Sequence, residues 1–227
     1  MRGTIPALAF TAPPEVARHS CVLAEGNFAV GFDSGSLHIY GSDGMIVGTA
    51  ELHERIVGLT NSDGYVIAAT SNGGVMAFHG KPLWEYTIDS GCETICTHPN
   101  GVLVAESSER LLLLSTEGDL LASTECQLPE LIACSEDGTC AVALENGNVL
   151  LLNESLEILH DSPAAADDVE TISCMTFRSD GVLMVARNSL GVTVDDRPEN
   201  RIECWHPETG LLNSSEVASR VTAMLAT

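Results

Sequence analysis

Residues 55–89 read RIVGLTNSDGYVIAATSNGGVMAFHGKPLWEYTID and break into four short apolar runs, 56–60, 65–70, 75–78 and 83–88. Between them stand Ser62-Asp63-Gly64, Ser71-Asn72-Gly73-Gly74 and His79-Gly80-Lys81-Pro82. Asn-Gly and Asp-Gly between β-rich runs are hairpin signals, because the turn needs a positive φ that glycine reaches without steric cost. The stretch therefore reads as one four-stranded antiparallel meander.

Working outward, the same punctuation recurs. The first-turn glycine appears as Gly26, Gly64, Gly101, Gly138 and Gly181; the second turn as Gly35, Gly73, Arg110 and Gly147; the third as Asp43-Gly44, His79-Gly80, Glu117-Gly118 and Thr209-Gly210. A period near 40 residues with four short strands per repeat is the pattern of a β-propeller, in which each blade buries its faces against its neighbours. The fold expected is all-β: a β-propeller of four-stranded antiparallel blades, with full repeats at about 21–53, 55–89, 92–126, 131–160 and 169–217, in a single domain over 1–227. Two partial strands, 4–10 and 221–226, stand outside these repeats. They favour an incomplete six- or seven-bladed propeller over two other readings, a closed five-bladed ring and an open one completed by a partner's strands. An unpaired blade edge would favour association; the oligomeric state stays open.

Repeats four and five differ from the others in their links. The connector 161–168, DSPAAADD, is the longest between repeats, and residues 188–200 insert into repeat five between its second and third strands. The chain carries 32 acidic residues against 10 basic ones, a formal net charge of −22. Such a surface repels nucleic-acid phosphates and anionic lipid, which excludes both as expected partners. Two readings of the acidity remain: general solvation, as in a salt-rich cytoplasm where a short Debye length screens the repulsion, and a specific acidic face for a basic partner. No run of 18 apolar residues and no signal-peptide pattern is present, so neither a membrane span nor a leader is expected.

Eight cysteines sit mostly inside strand runs and read as reduced, buried small hydrophobes of a cytoplasmic protein rather than as a disulfide framework. Cys92, Cys96 and His98 make a C-x3-C-x-H spacing with no matching second pair downstream, so no metal site is assigned. Gly-x-Ser-x-Gly, His-Glu-x-x-His and phosphate-loop motifs are all missing, and no catalytic or cofactor-binding residue is singled out.

Three segments carry a family resemblance. Residues 202–210, IECWHPETG, resemble the third-strand signature of WD-repeat propellers, with His206 in place of the usual aspartate, and 172–181, ISCMTFRSDG, resemble the first strand and Asp-Gly turn of that family. Residues 80–84, GKPLW, are similar to the outer strand of quinoprotein-like propellers. The resemblance covers about 200 residues and implies an interaction module without cofactor, whose strand two-to-three loops and inter-blade connectors share one face. On that layout Asp161, Asp167, Asp168, Asp195, Asp196 and Glu199 would form one acidic, partner-binding region for a protein or peptide with a basic segment. The alternative carried by the fold alone is a propeller enzyme, either a metal-dependent hydrolase or lactonase or a quinone-dependent oxidoreductase.

Overall fold

The structure is a computed structural model describing residues 15–107, 109–162, 170–190 and 200–224. The strand expected at 4–10 lies outside the described residues. The chain divides into two compact units, Met1–Cys92 and Glu93–Thr227, taken here in turn.

The first unit holds two sheets. One is built from β1 (Ala17–Val22), β2 (Phe28–Phe32), β3 (Ser36–Tyr40) and β4 (Ile46–Glu51); the other from β5 (Ile56–Ser62), β6 (Tyr65–Thr70), β7 (Gly74–Phe78) and β8 (Pro82–Thr87). Each is an antiparallel meander in chain order. Apart from a 3₁₀ turn at Ala24–Gly26, the described residues of this unit are strands and turns. Ala29, Leu37, Leu52, Ile56, Val66, Ala68 and Phe78 form its apolar core. On the other face of the first sheet Phe28 stacks on Tyr40 at a centroid distance of 4.9 Å.

The second unit holds three sheets: β9 (Cys92–His98, which begins at the boundary residue), β10 (Gly101–Glu106), β11 (Arg110–Leu114) and β12 (Leu120–Glu125); then β13 (Pro129–Cys134), β14 (Cys140–Leu144), β15 (Val149–Leu152) and β16 (Ile158–Ser162); then β17 (Glu170–Phe177), β18 (Leu183–Ser189), β19 (Asn200–His206) and β20 (Gly210–Glu216). All three are again simple meanders. The four-leucine run of β11 is buried on both faces, as are all residues of β10, β14 and β15. One core joins the β10–β11 and β14–β15 hairpins through Leu103, Leu111, Leu113, Val142 and Leu152; the next joins β14–β15 to β18–β19 through Ala141, Leu151, Leu183, Val185 and Trp205. Five four-stranded antiparallel sheets are the blades of a β-propeller.

Over its described residues, 221–224, the strand expected at 221–226 is not found. Residues 221–224 carry no strand, and Val221 is held by side chains instead of a ladder. Its N–H donates to Asn188 Oδ1 at 3.0 Å, while its carbonyl accepts from Asn188 Nδ2 at 2.8 Å and from Ser173 Oγ at 2.7 Å. Ser173 is free for this role because it sits at a bulge, skipped between the Ile172 and Cys174 pairings with β18.

A second bulge repeats in every blade, where the third strand meets the start of the fourth. The skipped residues are Val47, Leu83, Leu121, Leu159 and Leu212. All five are aliphatic and between 43% and 63% exposed. A bulge kinks and twists the strand that carries it, which blunts an outer edge against pairing with another chain.

The second-turn glycine of residues 55–89 is fixed twice over. Gly73 has φ +96, and a Cβ there would lie 1.8 Å from the Ile88 carbonyl oxygen; Gly64 has φ +80 with open space around it. Gly64→Ala therefore meets only left-handed strain, about 1–2 kcal/mol, whereas Gly73→Ala must also displace backbone and is expected to cost about 4 kcal/mol or more. Thermal unfolding of the two variants checks the order; equal losses would contradict the packing argument.

Candidate interaction site

Within the second unit the turns after β10 and β14 are tied, at one end of the sheets, to the connector between β12 and β13. The Cys126 N–H donates to Glu109 O at 2.7 Å and the Glu145 N–H to Leu128 O at 3.0 Å. β16 finishes at Ser162, β18 at Ser189, and β19 begins at Asn200, which bounds the described parts of the connector 161–168 and the insertion 188–200. Of the six acidic residues expected to bind a partner, Asp161 is described: it is exposed on β16, opposite Leu150. Asp167, Asp168, Asp195, Asp196 and Glu199 lie outside the described residues.

The roots of these loops rest on a buried ionic network that sequence reading did not anticipate. Glu203, 4% exposed, accepts from Arg187 Nε at 2.8 Å and from Trp205 Nε1 at 3.1 Å through Oε2, and from Arg201 Nε at 2.9 Å through Oε1. Arg201 also grips Glu170 with both terminal nitrogens, Nη2 to Oε2 at 2.8 Å and Nη1 to Oε1. Arg187 reaches across to the neighbouring blade, where Nη1 donates to the Gly147 carbonyl at 2.9 Å. Two guanidiniums face two carboxylates, so the network is neutral and each arginine is paired with a carboxylate.

Burial works to raise the Glu203 carboxyl, but the Arg187 and Arg201 charges outweigh it and hold it below the usual carboxylate range. Burial likewise works against the Arg201 charge, and Glu170 and Glu203 overcome it. Two further polar atoms, Ser162 Oγ and Asn200 Oδ1, are buried without a hydrogen-bond partner among the described residues.

At the opposite end of the same sheets, the turns after β13 and β17 enclose a cleft of about 630 Å³ lined by Cys134, Asp137, Phe177, Arg178 and Asp180 among others. A hydrogen bond from Ser135 Oγ and another from the Thr139 N–H, at 3.1 Å, hold the Asp137 carboxyl below its usual range. Arg178 Nη2 meets Asp180 Oδ2 at 2.6 Å.

Among the described residues Cys92, Cys96 and His98 do not form a grouping of three ligands around one point. His98 is buried, its Nδ1 accepts from the Asn100 N–H at 3.1 Å, and its Nε2 is left to donate to Gly138 O at 3.3 Å. Both ring nitrogens are thus committed. Among the described residues no group of three or more His, Cys, Asp or Glu side chains is arranged to hold a metal ion, and no helix is long and apolar enough to cross a membrane.

No protein-family description matches the sequence, and no curated protein does. Solved structures do. BamB from Moraxella catarrhalis, a β-propeller, is similar over 93% of this chain and 69% of its own, with a TM-score of 0.69 and 16% sequence identity. A likeness at that identity is one of fold. It leaves function to be argued from the residues.

The network makes a direct prediction. Because the folded pKa of Glu203 is depressed, its contribution to stability is complete above the unfolded carboxylate value, about 4.3, and is lost as pH falls through the folded one. Glu203→Gln leaves two guanidiniums without their shared charge and is expected to cost about 3–5 kcal/mol at neutral pH. Urea denaturation across the acid range should show the wild type losing more stability than the variant as pH drops. Parallel acid limbs would mean that the Glu203 charge adds nothing.

Proposed function

We propose that this chain is a non-catalytic, cytoplasmic interaction scaffold that presents its loop-bearing end, the connector 161–168 and the insertion 188–200, to a basic segment of a protein partner. The observation that carries the reading is the charge balance at that end. The two loops contain Asp161, Asp167, Asp168, Asp195, Asp196 and Glu199 against Arg197 as their sole basic residue. The arginines beneath them, Arg187 and Arg201, are occupied by Glu203 and Glu170. The platform therefore offers the loops no spare positive charge from these two side chains.

An acidic patch on a neutral, rigid base suits electrostatic capture, since complementary potentials speed and orient docking more than they add affinity. Eight free thiols agree with a reducing compartment. Within the propeller class, residues 80–84 and a structural neighbour of quinoprotein-like fold support the quinoprotein-like side of the resemblance; for the WD-repeat side the support is the sequence around Trp205.

The test compares two variants of equal net charge. Asp167, Asp168, Asp195 and Asp196 are changed together to Asn; in the control, Asp43, Asp63, Asp89 and Glu85, all in the first unit, are changed to the corresponding amides. Fluorescence anisotropy with a labelled arginine-rich peptide at low salt should give about tenfold weaker binding for the first. Four surface charges at a few tenths of a kcal/mol each sum to about that factor. The control should stay near the wild type. Equal weakening in both would assign the acidity to general solvation and remove the specific face.

A further inference from the structure

Three cysteines, two from one hairpin and one from the preceding blade, meet at the core between the second unit's first two blades. Cys96 of β9 and Cys134 of β13 place their sulfurs 3.3 Å apart, and Cys134 and Cys140 of β14 place theirs 3.4 Å apart. Cys134 is thus the middle of a row of three thiols. Cys140 directs its thiol to the Gly138 carbonyl at 3.4 Å, and His98, whose Nε2 reaches the same carbonyl, closes the row on that side.

The backbone fixes one of the two pairs. Cys134 and Cys140 are directly opposed across the β13–β14 ladder. The next pair toward the turn is hydrogen-bonded, the Ser135 N–H donating to Thr139 O at 2.9 Å. Alternation along an antiparallel ladder then makes Cys134 and Cys140 a non-hydrogen-bonded pair, with Cα atoms about 4.5 Å apart. That separation lies inside the range disulfides span, about 4.4–6.8 Å. Cys134 is only partly buried, whereas Cys140 is buried.

We propose that Cys96, Cys134 and Cys140 are a dithiol–disulfide modification site, oxidised at Cys134 by hydrogen peroxide. The Cys134 thiolate attacks a peroxide oxygen. The O–O bond breaks, Cys134 becomes a sulfenic acid, and water leaves after protonation. The Cys140 sulfur then attacks the Cys134 sulfur, the S–O bond breaks, a second water leaves, and a Cys134–Cys140 disulfide remains. Two thiols lose two electrons in total, and one hydroperoxide is reduced. Cys96, in contact with the same sulfur, is the alternative partner when Cys140 is removed.

The site is slow by construction. For Cys134 the contact with Cys140 pulls the thiol down, but the contact with Cys96 and burial push it up and prevail; for Cys140 the contact with Cys134 and burial both push up. Both stay above the usual thiol range. A proton-bearing thiol is a poor nucleophile, so the informative readout is the end point.

The experiment treats the purified native chain with hydrogen peroxide, quenches in acid, alkylates under denaturing conditions and counts free thiols alongside peptide mass mapping. The eight free thiols are expected to fall by two, with a Cys134–Cys140 linked peptide, and a dithiol reductant should restore them. Cys140→Ser should shift the bond to Cys96–Cys134, and Cys134→Ser should abolish it. Survival of every wild-type thiol, a disulfide that omits Cys134, or Cys134 stopping at a sulfinic acid would each overturn the proposal. The wild-type map decides the matter even if a variant fails to fold.

Discussion

The structure depends on one constraint: the middle strands of the second unit's first two blades are buried on both faces. In the second unit β10, β14 and β15 bury every residue, and β11 buries all four of its leucines. A sheet of this kind cannot stand in water alone, because each face needs another blade to remove it from solvent. The two cores of that unit, one on either side of β14–β15, are the result. With the strands committed to packing, chemistry and recognition fall to the ends of the sheets, where loops and connectors are free to vary.

That constraint also decides what the sequence discloses. Strands buried on both faces read as continuous apolar runs bounded by turns, and 65–70 and 75–78 are observed as Tyr65–Thr70 and Gly74–Phe78. Turn glycines disclose themselves because a positive φ restricts the residue; Gly26, Gly64, Gly138 and Gly181 all adopt one. The outermost and innermost strands are less legible. The run 83–88 is observed as Pro82–Thr87 and 56–60 as Ile56–Ser62, since half-exposed strands lack a sharp apolar limit. Residues 221–224 have strand-like composition, yet Asn188 and Ser173 satisfy the backbone of Val221 without a ladder. Propensity yields there to side-chain hydrogen bonding.

The polar sites were hidden for a different reason. Arg187, Arg201, Glu203 and Glu170 come from three strands, and no spacing rule joins them; the available signal was the presence of charges inside runs such as LMVARNS and NRIECWH. Buried charge in a strand needs a partner, so each charge implied another without saying which. The thiol row carried a clearer trace. Cys96 and Cys134 are 38 residues apart, one repeat, and equivalent positions of consecutive blades are where neighbouring side chains touch. The charges of the connector and the insertion were legible in sequence, and the arginine–glutamate network of β17, β18 and β19 was visible only in three dimensions.

The bulge repeated at Val47, Leu83, Leu121, Leu159 and Leu212 bears on how such a chain grows. Adding a blade by tandem duplication copies the strands, the turns and the bulge in one piece. The newcomer therefore arrives with its outer edge already kinked, and needs no compensating change to stay out of intermolecular ladders. Edge protection encoded inside the repeat makes blade number an inexpensive variable, open to change by recombination without a passage through aggregation-prone intermediates.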